Sequence, residues 1–416
     1  MRLVLVDGAG APLGALPAFP LAEPWWQEVA EVVAGARARF GVTVEVLRLL
    51  HAELPEPPGG EVTLLAQLDG AAPPGLAPVE GVDMSPHPLR APYANPGGPA
   101  RSLAWATAAL AEAGWSGVTT TQIRTWNLSA VWRLDEPEGA RLDEPEGARR
   151  AWLKQVPAFF RHEAAVVRWL GEAVPGAAPC LISAGEEGRI LLADAPGVDG
   201  WDASPAQREE IAAVSHRIQL ASIGALDTLV AEGVPDRRGP RLGRWIRERL
   251  TPWRPAPGEA VPDVARLLDD MDARIAAAAE CGLPDTLVHG DLHRGNTRLG
   301  GGTPVVIDWG DSTVGSPVAD IIRLTGGADG DADIARLSGG ADGATSAALV
   351  GSWAARWREA VPGCDPERAV ALWRPVAELY LGAVYAAFVD GIEPSEHPYH
   401  AGDVAPSLRR AATLST

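Results

Sequence analysis

The sequence predicts an α+β protein, strand-rich up to about residue 195 and mostly helical beyond it, with a further small α+β unit at its N-terminus. Three observations predict this. Short apolar runs bounded by Gly and Pro recur through the first 195 residues, long stretches with helical apolar spacing dominate from 204 to 390, and 70–100 holds eight prolines. The chain of 416 residues has room for two or three domains, and its 46% apolar and 22% charged residues are a globular composition.

The predicted order is a small domain over 1–69, a Pro/Gly-rich linker over 70–100, a strand-rich part over 101–195 and a helical part over 196–416. In the first, 3–6 and 16–19 read as a hairpin, 25–40 as a helix, and 42–50 and 62–68 as strands. Gly8-Ala9-Gly10 is a hairpin turn rather than a nucleotide loop, because Pro12 and Leu13 follow and no helix opens there. The helix ending at Phe40-Gly41-Val42 resembles the end of a Nudix box. Ala38 and Arg39 stand where its metal-binding glutamates would be, so any such relation implies a non-catalytic relic.

After the linker the pattern gives a helix capped by Ser102 and strands at 118–125 and 128–134. The eight residues LDEPEGAR occur twice in tandem, at 134–141 and 142–149, as a duplication tolerated at a hairpin tip. The GGADG stretches at 326–330 and 339–343 mark loops. Asp329, Asp331 and Asp333 imitate the start of a calcium loop, but Ile334 and Gly340 occupy the places that need Gly and Glu. Helices are predicted over 204–221, 242–250, 263–280, 344–360 and 366–390.

Several classes are disfavoured. A net charge of −18 argues against a nucleic-acid partner. No run approaches the ~18 apolar residues of a membrane span, and Asp7 interrupts the apolar start too early for a signal peptide. Cys180, Cys281 and Cys364 are too scattered for a disulfide framework or a metal site. A cytoplasmic protein is expected.

The chemistry concentrates in Val288-His289-Gly290-Asp291-Leu292-His293-Arg294-Gly295-Asn296 and, beyond a short apolar strand, Ile307-Asp308-Trp309. Phosphoryl transfer needs a carboxylate to accept the hydroxyl proton, and oxygen ligands that hold Mg²⁺ against the phosphates. Asp291, with Asn296 five residues on and Asp308 at a strand end, supplies those types from two adjoining segments.

These residues resemble the aminoglycoside phosphotransferase and choline kinase-like family, whose signature is HGDxHxxN followed by IDW. The resemblance implies a bilobal protein kinase-like fold with a small β-rich N-lobe and a helical C-lobe. It also implies ATP (or GTP) as phosphoryl donor, Mg²⁺ as cofactor and a small-molecule hydroxyl as acceptor. On that pattern Asp291 is the catalytic base and Asn296 and Asp308 are the metal ligands. Lys154 is the phosphate-binding lysine, paired with Glu163 on the following helix, and backbone groups around Ala193 and Ala195 meet the adenine. Lys154 is the single lysine among 36 basic residues, consistent with a place where arginine's broad fork does not serve. One departure stands out: Thr125-Trp126-Asn127-Leu128-Ser129 has no glycine where protein kinases carry a glycine-rich loop, which leaves the Asn127 and Ser129 side chains, or nearby backbone amides, as candidate phosphate contacts.

Aminoglycosides and amino sugars are the acceptors this reading favours, and the acidic chain suits a cationic substrate. Sugar or amino-alcohol kinases are the alternative in the same class, and a nucleotide-binding regulatory pseudokinase is the alternative outside it. His289 and His293 could suggest a metallohydrolase, but no second His/Asp cluster supports one. His289 and Asp320 are expected to support the loop rather than react.

Overall fold

In this computed structural model, the residues described are 1–79, 81–137, 149–300, 302–326 and 343–415. The duplicated octapeptide, the GGADG stretches and the Asp329, Asp331 and Asp333 run fall mainly or wholly outside them. The chain divides into two compact units. One contains Met1–Arg161, Leu181–Asp194 and Phe388–Gly402; the other contains His162–Cys180, Ala195–Ala387 and the chain from Asp403.

The first unit starts from strands that bury both faces. β1 (Arg2–Val6), β2 (Pro12–Ala15), β3 (Thr43–Ala52) and β4 (Val62–Asp69) form a mixed sheet in the order β2-β1-β4-β3. Side chains alternate along a strand, so Leu3 and Leu5 pack with Trp26, Val29 and Val32 around α1 (Ala30–Phe40). Val4 and Val6 pack on the other face with Leu47 and Leu65. The helix begins at Ala30, not at 25, and ends where Gly41 takes a left-handed conformation with its N–H on the Arg37 carbonyl.

The proline-rich stretch has a structural task. Ala77 exchanges backbone hydrogen bonds of 2.8 and 2.9 Å with Ala15, and Val79, Val82 and Met84 lie over the Val4–Val6 face. An apolar sheet face left open to water would cost about 25 cal/mol per Å², and this segment covers it. The stretch closes with a short turn at Pro92–Ala94 and leads into α2 (Gly98–Glu112). Ser102 was expected as the cap of that helix, but it lies inside, because Pro99 already fits the first turn. Its buried hydroxyl donates to Gln155 Oε1 at 2.6 Å.

A second, fully antiparallel sheet follows: β5 (Thr119–Thr125), β6 (Ala130–Asp135), β7 (Arg150–Gln155), β8 (Leu181–Gly185) and β9 (Arg189–Ala193), in the order β5-β6-β7-β9-β8. The two sheets meet within this unit. The Gln122 amide on β5 accepts from Val46 N–H and donates to Val46 O on β3, both at 2.8 Å, in a buried reciprocal pair. Where the sequence suggests a boundary at 70–100, the structure therefore joins both sheets in one compact unit.

The second unit is mostly helical. Its elements are α3 (Glu163–Ala173), β10 (Val198–Asp199), α4 (Pro205–Ser222), α5 (Leu226–Ala231), α6 (Pro240–Leu250), α7 (Val264–Ala279), β11 (Thr286–Val288), β12 (Thr297–Leu299), β13 (Val305–Val306), β14 (Thr313–Gly315), α8 (Val318–Leu324), α9 (Gly343–Ala360), α10 (Pro366–Gly391, its end in the first unit) and α11 (Val404–Leu414). The caps follow the sequence: Ser204 and Gln207 form a reciprocal capping box on α4, and Asp263 caps α7. Two small sheets, β10-β12-β13 and β11-β14, hold the loops between them. Among the described residues no helix is long and apolar enough to cross a membrane.

In the first unit, burial pushes Glu396 from 4.5 up to about 8, helped by the neighbouring Glu393 and opposed by Arg48 and Arg90. A carboxyl whose pKa is raised by folding loses stabilising free energy as pH climbs from its unfolded to its folded value. Glu396→Gln should therefore gain thermal stability relative to the native protein as pH rises from about 5 to 8 and then level off. Melting curves across that range check it; a constant difference would contradict it.

Candidate active site

The signature residues lie on two loops of the second unit. One joins β11 to β12, the other joins β13 to β14, and pairing of β11 with β14 and of β12 with β13 brings both loops to one place. The first loop has little regular structure, so its amides need outside partners. Asp320, at the start of α8 and 2% exposed, provides them: it accepts from His289 N–H and Gly290 N–H, both at 3.1 Å, and from Gln219 Nε2 at 3.0 Å. Burial pushes the Asp320 carboxyl upward, against these donors.

His289 ties the two loops together. Its Nε2 lies 2.9 Å from Ile307 O and its Nδ1 accepts from Asp291 N–H at 3.2 Å, the pattern of a neutral ring protonated on Nε2. Burial lowers its pKa and favours that neutral form. Gly290, at φ 86°, must be glycine, since a Cβ there would meet Asp311 O at 2.2 Å.

Asp291 is held from two sides. Arg323 Nε donates to Oδ1 at 2.8 Å, and Asn296 Nδ2 donates to Oδ2 at 3.1 Å and to Asp291 O at 3.0 Å. Burial alone would raise this carboxyl. Arg323, and then His293 with Nε2 3.5 Å from Oδ2, instead hold it well below the usual carboxylate range. Because the Asn296 amide nitrogen is committed to Asp291, the Asn296 side-chain oxygen is the end that could serve as a metal ligand.

The second loop is strained at Asp308, whose φ of 64° is rare for a residue with a Cβ. Its neighbours fix that conformation. Ile307 N–H donates to Asn296 O at 2.9 Å, Trp309 N–H donates to Glu163 Oε1 at 3.2 Å, and Trp309 O accepts from Ser312 Oγ at 2.7 Å. Glu163, 1% exposed at the head of α3, thus supports the segment that bears Asp308.

The other predicted residues belong to other elements. Lys154 is buried on β7 in the first unit, in register with Val131 on β6 and Ile190 on β9. Ala193 ends β9, the division between units falls between Asp194 and Ala195, and the Ala195 carbonyl accepts from Arg298 Nε at 3.4 Å. The turn of Asn127 and Ser129 is packed inside the first unit rather than open. Ser129 Oγ accepts from Trp126 Nε1 at 3.2 Å, and the Trp126 ring packs edge-on against Tyr399. Asn127 is 2% exposed, and neither of its amide atoms has a hydrogen-bond partner among the described residues.

Sequence reasoning missed Arg323 and Trp201, whose ring stacks on His293 at 5.0 Å. Arg323 left a usable signal: it follows Asp320 by three residues, which puts both on one helix face. Trp201 left none, since its approach depends on Gly295 lacking a Cβ.

The sequence profile of the phosphotransferase enzyme family matches residues 107–361, more than half of the chain. The chain belongs to the phosphotransferase enzyme family. No curated protein matches it. Among solved structures, this phosphotransferase is similar to an ethanolamine kinase from Plasmodium vivax, 9% identical over 72% of this chain and 83% of that one, with a TM-score of 0.52. It is also similar to a choline kinase from Streptococcus pneumoniae, 11% identical over 75% of this chain and 99% of that one, with a TM-score of 0.50. At such identities the likeness is one of fold, a β-sheet part and a helical part. The phosphotransferase thus moves a phosphoryl group to the hydroxyl of a small molecule.

Removing the Asp320 carboxylate should free the His289 and Gly290 amides. Asp320→Ala is expected to lose roughly 3 kcal/mol of stability and to speed hydrogen exchange at those two amides. Unchanged protection there would show that the loop is held by something else.

Proposed function

We propose that this phosphotransferase moves the γ-phosphate of ATP to a hydroxyl of an aminoglycoside-like or amino-sugar acceptor. The observation that carries the catalytic part is the pairing of Asp291 and Asn296 at 3.1 Å beside the strained Asp308. Asp291 accepts the acceptor's proton as the hydroxyl oxygen attacks the γ-phosphorus and the bond from that phosphorus to the bridging oxygen breaks, releasing ADP. Both carboxylate oxygens already receive one donor, so the group is aimed, and each keeps a lone pair for the incoming hydroxyl. Arg323 keeps the carboxylate ionised, and the bonds from Arg323 and Asn296 stop it rotating.

The donor set fits Mg²⁺. Asn296 Oδ1 and the Asp308 carboxylate are hard oxygen ligands, and among the described residues no three His, Cys, Asp or Glu side chains gather into a protein-only metal cage. Asn296 and Asp308 would hold the ion, which when bound would neutralise charge on the nucleotide's phosphates. In the same reading Lys154 binds phosphate, Glu163 orients it, and backbone around Ala193 receives the adenine. Ser129 is a weaker phosphate candidate, because its hydroxyl already serves Trp126. The charge of −18 favours a cationic acceptor over an anionic one.

Mass-spectrometric detection of ADP release across aminoglycosides, amino sugars and amino alcohols tests the acceptor class; turnover confined to neutral sugars would contradict it. With a reactive acceptor, Asp291→Asn should lower kcat by about 10²–10⁴ while ADP affinity changes little. A fully active variant would remove Asp291 from the role of base.

A further inference from the structure

The first unit carries a cavity lined by none of the residues assigned to phosphoryl transfer. It measures about 450 Å³ and lies on the Val4–Val6 face of the N-terminal sheet, where the chain around Val79 and Val82 covers the strands. Volumes of this order suit small molecules. Arg48, on β3, is its most unusual wall. The residue is 3% exposed, its Nη2 donates to Asp83 O at 2.8 Å, and its Nε is buried with no hydrogen-bond partner among the described residues. The nearest carboxylate, Glu393, is 3.7 Å away and is already taken by Arg90, which grips it with Nε at 3.0 and 3.1 Å and with Nη2 at 2.8 Å.

Ser395 also lines the cavity, and its buried Oγ has no hydrogen-bond partner among the described residues. Arg2 adds another cation to the lining. Asp83 is the one carboxylate among the described lining residues, and its Oδ1 is turned to the Ser85 amide at 2.8 Å. Glu396, pushed up to about 8, adds little negative charge near pH 7. A buried guanidinium edge without an acceptor is costly, and its planar fork matches a carboxylate or phosphate. Val79 and Val82 beside it are apolar.

We propose that this cavity binds a small amphipathic oxyanion, its carboxylate or phosphate head at Arg48 Nε and Ser395 Oγ and its apolar body against Val79 and Val82. The site uses none of the residues assigned to phosphoryl transfer, and its test does not depend on activity.

Calorimetric titration of the full chain with octanoate and with octyl phosphate, both below their aggregation concentrations, supplies the probes. Octanol is the tail-only control and inorganic phosphate the head-only control. At least one of the two amphiphiles should bind saturably, about tenfold or more tighter than octanol. Octanoate alone would mark a carboxylate site, and octyl phosphate alone a phosphoryl site. Ser395→Ala should weaken binding about tenfold, the worth of one hydrogen bond to a charged group, and Arg48→Gln should abolish it. Should Arg48→Gln fail to fold, Val82→Trp at the partly exposed wall blocks the cavity and should abolish binding in a folded protein. Failure of both amphiphiles to bind, equal binding of octanol, or binding unchanged in Val82→Trp and Ser395→Ala would overturn the proposal.

Discussion

The loop that bears Asp291 has almost no ladder of its own, and its shape depends on one buried carboxylate. Asp320 receives the His289 and Gly290 amides and the Gln219 side chain. With those two amides fixed, Gly290 can take its left-handed turn against Asp311, His289 can bridge Asp291 N–H and Ile307 O, and Asp291 is delivered to Arg323. The Asp320 side chain holds the backbone amides that precede the residues proposed to act on the acceptor and the metal. It acts on them through backbone geometry, as a rigid supporting shell does for a site built on loops.

The second loop depends on the first. Asp308 sits at positive φ, a conformation that costs on the order of 1–3 kcal/mol. It is held because the bonds on either side leave no relaxed alternative: Ile307 N–H reaches Asn296 O, and Trp309 N–H reaches Glu163. Asn296 therefore has two tasks in this arrangement. Its side chain holds Asp291 and its carbonyl anchors the strand end before Asp308. Glu163 likewise supports the Asp308 segment, whatever its part toward Lys154.

Much of this was legible in the sequence, for physical reasons that differ by element. β1, β3, β4 and the helices α4 and α7 followed from apolar periodicity, because local patterns decide them, whereas the strand expected at 16–19 lies at Pro12–Ala15. The HGD and IDW residues were legible because phosphoryl transfer demands fixed residue types at fixed spacing. What escaped depends on contacts distant in sequence. The Gln122–Val46 pair, 76 residues apart, joins two sheets that a run of eight prolines seemed to part. The positive φ of Asp308 and the Trp201 stack on His293 are properties of packing, with no local signature. Arg323 could have been found from its one-turn spacing to Asp320.

The central claim is that Asn296 and Asp308 hold the divalent ion that accompanies the nucleotide. Paramagnetic line broadening tests it directly. Mn²⁺ and ADP would be added to protein labelled at asparagine side chains and aspartate carboxyl carbons, with Mg²⁺ as the diamagnetic reference. The account predicts that the Asn296 and Asp308 signals broaden beyond detection only when both nucleotide and Mn²⁺ are present, and that they stay sharp with Mg²⁺ and ADP. Sharp Asn296 and Asp308 signals in the saturated Mn²⁺·ADP complex would contradict it.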